Sequence, residues 1–210
     1  MADQVDVPHL DAWVREFDRQ IDQHKEELTE LDSAIGDADH GTNMHRGMAA
    51  AVAALEATPP ADPAALLKTV AMTLISKVGG TSGPLYGTLF LRMSGAIGDG
   101  APAAFATAFR AGVDGVVARG KAELRDKTMV DALLPAAEAL SAAVGAGEPL
   151  DAALRAAADA ARTGRDSVTP LVARKGRASY LGERSADHMD PGAASAVLLI
   201  ESAATALTGA

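Results

Sequence analysis

The sequence has no cysteine, so disulfides, thiolate catalysis and cysteine-held zinc are excluded. Aromatic residues make up only 3% of it, and no segment alternates apolar and polar positions with period two. Both absences argue against a β-rich fold. Basic residues are in deficit, 19 Lys and Arg against 28 Asp and Glu, leaving a formal charge of −9. That balance disfavours nucleic acid or an anionic membrane surface as a partner. No apolar run reaches the roughly 18 residues a membrane span requires. The N-terminal "MADQVDVPHLDAW" lacks the basic-then-apolar order of a secretory signal. A soluble, cytoplasmic protein is expected. Its 210 residues provide material for a single domain over 1–210.

What the chain has in abundance is Ala, Leu and Val at helical spacing. From about 8 to 31, Leu10, Trp13, Val14, Phe17, Ile21, Leu28 and Leu31 recur at intervals of three and four or their sums. Further helices are predicted over about 42–57, from Asp62-Pro63, and over about 83–97, 102–119, 129–145 and 149–167. The eighth starts at Asp190-Pro191 and runs towards Leu207. The expected class is all-α, a bundle of eight helices.

The connections between these helices fall into two kinds. Those after helices two, four and six, "ATPPADP", "GDGAP" and "GAGEP", are ordinary helix breakers. Those after helices one, three, five and seven are "DSAIGDADHG", "GGTSGP", "RGKAELRDKT" and a long stretch from Thr169 to Gly192. Helices running up and down would gather all four rich connections at one end, each leading into a helix N-terminus with its positive dipole end. A polyanion bridged by cations is the natural occupant of such an end.

Each connection has its own chemistry. Asp32, Asp37 and Asp39 supply hard oxygen ligands suited to Mg²⁺ or Ca²⁺. An EF-hand is excluded, because the position of its bidentate glutamate is taken by Met48. Spacing alone leaves the alternative that these are loop and capping aspartates. Gly79–Pro84 is a small-residue turn entering a helix, where amides and hydroxyls can approach an anion. It is also ordinary helix-start chemistry. Thr128 in "DKTM" is a plausible N-cap. The Thr169–Gly192 connection is unusually long for a compact bundle. Its Arg174, Lys175, Arg177 and Arg184, with Tyr180 and Leu181 to pin its middle, predict a folded lid. His40, His45 and His188 are candidates for ligand or acid–base roles, although a structural histidine is more common.

Taken in order, "LDSAIGDADHGTNMHRGM", "GGTSGPLYG", "DKTMVDALLPA" and "RASYLGERSADHMDPGAAS" resemble the motifs of the nucleotide-binding subunit L of bacterial dihydroxyacetone kinase. The resemblance spans roughly residues 10 to 207. It implies a barrel of eight antiparallel amphipathic helices with ADP or ATP bound at one end. It also implies that Asp32, Asp37 and Asp39 hold two Mg²⁺ ions on the nucleotide phosphates. His40, Gly41, Thr42 and Asn43 would approach the nucleotide, and Thr81 and Ser82 would contact phosphate. Gly120 and Met129 would line the adenine side, with Arg177 and Asp190, Pro191 and Gly192 closing over it. No catalytic side chain is assigned. Ala38 and Arg125 depart from the pattern, standing where the family often has glycine.

The implied activity is phosphoryl transfer, with bound ADP recharged by a phosphohistidine on subunit M of the phosphoenolpyruvate-dependent phosphotransferase system. The acceptor would be dihydroxyacetone held covalently on subunit K. Two other readings stay open on the sequence. One is an ATP-dependent kinase module with exchangeable nucleotide and another hydroxylated or acyl substrate. The other is a non-enzymatic regulatory subunit acting on a transcription regulator.

Overall fold

Three helices begin on the same local chemistry. Asp6, Asp62 and Asp190 sit in extended backbone, each accepting a hydrogen bond from the amide three residues on, with proline in the first turn. Each carboxylate satisfies an amide that helix geometry leaves unpaired, and proline lacks an N–H that would have had no partner. The computed structural model describes residues 4–207 and contains, among them, nine α-helices and one 3₁₀ segment. In chain order these are α1 (Val7–Gln23), α2 (Lys25–Ile35), α3 (His40–Ala57), α4 (Pro63–Lys77), α5 (Ser82–Ser94) and α6 (Pro102–Gly120). They continue as α7 (Val130–Gly145), α8 (Leu150–Val168), the 3₁₀ segment Arg177–Ser185 and α9 (Pro191–Ala206).

The expected first helix is therefore two. His24 leaves the helical region at φ −102, ψ 10. The amide of His24 still donates to Gln20, and that of Leu28 donates to His24, so hydrogen bonding runs through the bend. The bend swings Leu28, Asp32 and Ile35 inward. With α1 and α2 counted as one bent helix, eight antiparallel members form a closed ring. Each packs on its neighbour from α1 and α3 onward, and α9 closes back on α1.

Six of the seven aromatics, Trp13, Phe17, Tyr86, Phe90, Phe105 and Phe109, are buried inside this ring. Trp13 packs at a tilt against Phe90, ring centres 5.6 Å apart, and edge-on to Phe105 at 5.8 Å. Its indole N–H donates to the Leu199 carbonyl at 2.9 Å, across the α1–α9 seam. Between α7 and α8, Pro135 lies inside a helix and cannot donate to the carbonyl four residues back, which is that of Asp131. Gly164 of α8 faces that freed carbonyl, and a methyl group at position 164 would overlap its oxygen.

The four chemistry-bearing connections do lie at one end. The Thr169–Gly192 stretch is a folded lid, with its 3₁₀ segment kinked at Gly182, where φ is 55. Leu181 packs with Ile35, Ala173 and Ala178 in a small satellite core. Tyr180 does not pin the lid as expected: it is 89% exposed. The satellite core is built from Ile35, Leu181 and two alanines, without Tyr180.

Candidate functional site

A cavity of about 990 Å³ opens at this end of the barrel, and all four rich connections contribute to its wall. Asp32 is the buried anchor of the acidic loop. Its Oδ2 accepts hydrogen bonds from the amides of Asp39, at 2.8 Å, and His40, at 3.1 Å. Those bonds curl the 36–39 loop back over the end of α2. Asp37 and Asp39 are exposed beside it, and one oxygen from each of the three aspartates falls within 4.8 Å of the others. Three carboxylates that close repel one another unless a cation stands between them. A cation is in fact present: Arg177 of the lid reaches across to Asp37, Nη2 to Oδ2, at 2.9 Å. An all-oxygen, carboxylate-rich cluster partly open to water is the donor set Mg²⁺ takes, with water and phosphate oxygens completing its shell.

The Gly-rich turn forms the neighbouring wall. Gly80 supplies a left-handed φ of 65, and Thr81 and Ser82 open α5 towards the cavity. The first-turn amides of α5 have no intrahelical partner, so this wall presents N–H donors and a positive dipole end. Ser82 Oγ lies 3.2 Å from Nδ1 of His40, whose Nε2 lies 2.9 Å from Ser195 Oγ. Ser195 donates its only proton to the Gly192 carbonyl at 3.1 Å. The Tyr86 hydroxyl, 2.7 Å from Ser195 Oγ, and His40 Nε2–H therefore both donate to Ser195, leaving Nδ1 to accept from Ser82. Burial holds the His40 ring below its ordinary pKa, which favours this neutral form.

The opposite side is more apolar, with Leu85, Val116, Gly120, Ala122 and Met129 on the wall. Met129 is carried by the 121–129 loop, whose backbone is left-handed at Lys121, Arg125 and Lys127. Asp131, buried in the first turn of α7, fastens this loop by accepting the amides of Arg125, at 2.5 Å, and Thr128, at 2.8 Å. Thr128 takes a capping role, accepting the Val130 amide at 3.2 Å. Asp190 lies in the cavity floor, partly exposed, and its Oδ2 accepts the Ala193 amide at 2.7 Å. Burial pushes the Asp190 carboxyl up to about 7, and the charges of Asp131 and Asp32 push the same way.

The cavity thus brings together Asp32, Asp37, Asp39, His40, Asn43, Thr81, Ser82, Gly120, Met129, Arg177, Asp190, Pro191 and Gly192. Gly41 and Thr42 do not line it. Gly41 is pressed against the Lys25 carbonyl, where a side chain would overlap, so its smallness serves the α2–α3 crossing. Thr42, in the same first turn of α3, is exposed to solvent. Sequence reasoning missed Ser195 and Tyr86, which set the His40 tautomer, and Lys127, a buried lysine. Lys127 was visible in "DKTM", but nothing local marks a lysine as buried.

The fold and the cavity together define an all-helical barrel with a one-ended site for a polyanion and its counter-cations. The chain belongs to the DAK2 domain family, whose pattern matches residues 34–205. It is 43% identical over 189 residues to the ADP-binding subunit of phosphoenolpyruvate-dependent dihydroxyacetone kinase 1 of Listeria innocua, covering 89% of this chain and 90% of that one. It is also 43% identical over 197 residues to the corresponding Escherichia coli subunit, covering 92% and 94%. D-erythrulose kinase of Mycolicibacterium smegmatis is 36% identical over 189 residues, but the chain spans only 33% of that protein. Among solved structures, the C. freundii dihydroxyacetone kinase superposes with a TM-score of 0.74 at 27% identity, over 93% of this chain and 34% of that one. The same enzyme in complex with AMP-PNP and Mg²⁺ also gives 0.74, at 25% identity, covering 93% and 33%. The chain therefore spans about a third of that larger kinase.

Proposed function

We propose that this chain is the ADP-binding subunit of a phosphoenolpyruvate-dependent dihydroxyacetone kinase, working in the cytoplasm with a dihydroxyacetone-binding subunit K and a phosphohistidine subunit M. The observation that carries the reading is the convergence of three carboxylates, a Gly-rich helix start and a basic lid on one cavity.

Asp32, Asp37 and Asp39 would hold the Mg²⁺ ions, two in number on this reading. When bound, the metal neutralises phosphate charge and aligns the transferring oxygens, which is most of what phosphoryl transfer requires. The chain's own residues do the positioning. Asp32 is preset by two amides and needs little rearrangement to act as a ligand. The unpaired amides at the start of α5 face the phosphate side. Ser82 gives its proton to His40, so its oxygen lone pairs remain for the site. Leu85, Val116 and Met129 offer an apolar wall to the base. Arg177 stands on Asp37 and is free to pass to phosphate once a metal takes that carboxylate. Its planar fork suits phosphate better than a lysine would.

Denaturing the purified chain and identifying the released nucleotide by mass spectrometry tests the reading. ADP is expected, and a preparation carrying no adenine nucleotide and binding none with Mg²⁺ would sink it. A second reading, a kinase module exchanging free ATP for a hydroxylated sugar, is favoured by the similarity to the erythrulose kinase. Retention of ADP through gel filtration selects the first, and its loss on the column selects the second. A regulatory role through a transcription regulator would instead show intact nucleotide binding without phosphoryl transfer alongside any subunit K.

A further inference from the structure

The Lys127 side chain is only 1% exposed. Its ammonium donates to three backbone carbonyls, of Thr169 at 2.8 Å, Leu171 at 2.8 Å and Ser185 at 2.6 Å. An ammonium has three protons, so every donor is used, and none of them goes to a carboxylate. The three carbonyls come from the two ends of the lid. Thr169 and Leu171 lie where it leaves α8, and Ser185 lies where its 3₁₀ segment stops. Ser185 braces the same stem, accepting the Ala173 amide at 2.9 Å and donating to the Gly182 carbonyl at 2.6 Å. Arg174 adds a backbone bond to Asp126 at 3.0 Å. Lys127 itself sits at a left-handed φ of 65, immediately before Thr128 and Met129 of the cavity wall.

A buried charge costs several kcal/mol in lost hydration unless its new partners replace the water. Here lid carbonyls are the replacement, so the charge is well solvated only while the lid stem is closed. Opening the stem would break three charge-assisted bonds together. We infer that Lys127 is a positioning residue that clamps the lid stem to the adenine-side loop, holds Arg177 over the acidic cluster, and thereby slows nucleotide release. This inference rests on the nucleotide reading above.

The test compares wild type, K127M, R177A and the double variant, using stopped-flow release of a fluorescent ADP analogue with Mg²⁺ and hydrogen exchange without nucleotide. Methionine keeps the stem's length and removes every donor. K127M should speed release at least ~10-fold, the scale of one hydrogen bond to a charged group, with much less change in association. If Lys127 acts through Arg177, K127M in the R177A background should add little to the off-rate. Exchange should rise at Ala173, Ser179 and Ala186 and stay unchanged in the middle of α7 and α8. K127R should not rescue, because a planar guanidinium does not fit a three-carbonyl cage. If K127M does not fold, S185A loosens the same stem and should shift both readouts the same way. Unchanged lid exchange, an unchanged off-rate, or fully additive effects with R177A would overturn the clamp. If wild type binds no Mg·ADP, the nucleotide reading fails, and the exchange data alone then decide whether Lys127 holds the lid.

Discussion

Ala38 and Arg125 hold left-handed backbone, at φ 61 and φ 73. They are the two positions at which this chain departs from glycine in the motifs it resembles. An L-residue there costs about 1–2 kcal/mol relative to its ordinary conformations. Ala38 has no bond that repays this, while Arg125 has its amide on Asp131. Replacing Ala38 by Gly relieves the strain and loses only about 0.4–1 kcal/mol through the freer unfolded chain. A38G should therefore raise the melting temperature of the nucleotide-free protein by roughly 1–4 °C. Calorimetry that finds it lowered would show that the strain is not there. The flanking aspartates make a second expectation. D37A removes the partner of Arg177 and a proposed metal ligand together, and D39A removes a ligand alone. Both variants should keep an all-helical circular dichroism spectrum and lose binding of Mg·ADP by titration calorimetry. Affinity unchanged in both would end the metal assignment.

At the level of elements, the α7–α8 seam depends on what is missing. Pro135 frees a carbonyl, and Gly164 leaves room for it. Introducing a methyl group there forces backbone apart, an overpacking cost of about 1–3 kcal/mol. G164A should melt several degrees lower than wild type. G145A is the matched control: nothing lies near its added carbon, and alanine is the better helix former, so it should be neutral or stabilising. If both variants behave alike, close approach at Gly164 is not what holds the seam. Asp131 carries that carbonyl and also fastens the 121–129 loop, so G164A should also weaken nucleotide binding. The same elements show what could be read from sequence. Asp62-Pro63 and Asp190-Pro191 announce their helices because capping is local chemistry. The bend at His24 does not, because hydrogen bonding continues through it and the apolar spacing barely changes. The burial of Lys127 is set by carbonyls 42 to 58 residues away, which no local pattern encodes.

For the whole molecule, the site end and the far end divide the work. Carboxylates, a strained loop and a lid crowd one end of the barrel, while plain helix breakers close the other. If the cavity takes Mg·ADP as proposed, that ligand would help hold the crowded end. A ligand that binds only the folded state at 100 times its dissociation constant adds about 2.7 kcal/mol. Stripping metal with EDTA should lower the melting temperature, and returning Mg·ADP should restore it. A thermal scan indifferent to both would count against a structural contribution from nucleotide. The division is legible in the sequence, because up-and-down topology alone sends alternate connections to opposite ends. Which of the residues in "HGTN" face the cavity is not. Gly41 and Thr42 turn away from it on the first turn of α3, and that depends on the angle at which α2 crosses.

The ring of helices also has a single seam joining distant parts of the chain. Most of the other packing around it is between helices adjacent in sequence, whereas α1 must wait for α9. Local contacts form early, and closing a long loop is slower because its chain entropy must be lost first. The only tryptophan, Trp13, lies on that seam with its indole on Leu199. Its emission is therefore a clock for ring closure. In refolding from denaturant, far-UV circular dichroism should recover first and tryptophan emission should follow as a separate, slower phase. W13F keeps the ring packing but loses the bond to Leu199, and should mainly accelerate unfolding. Identical time courses for the two signals would mean that the barrel closes as its helices form, in one step.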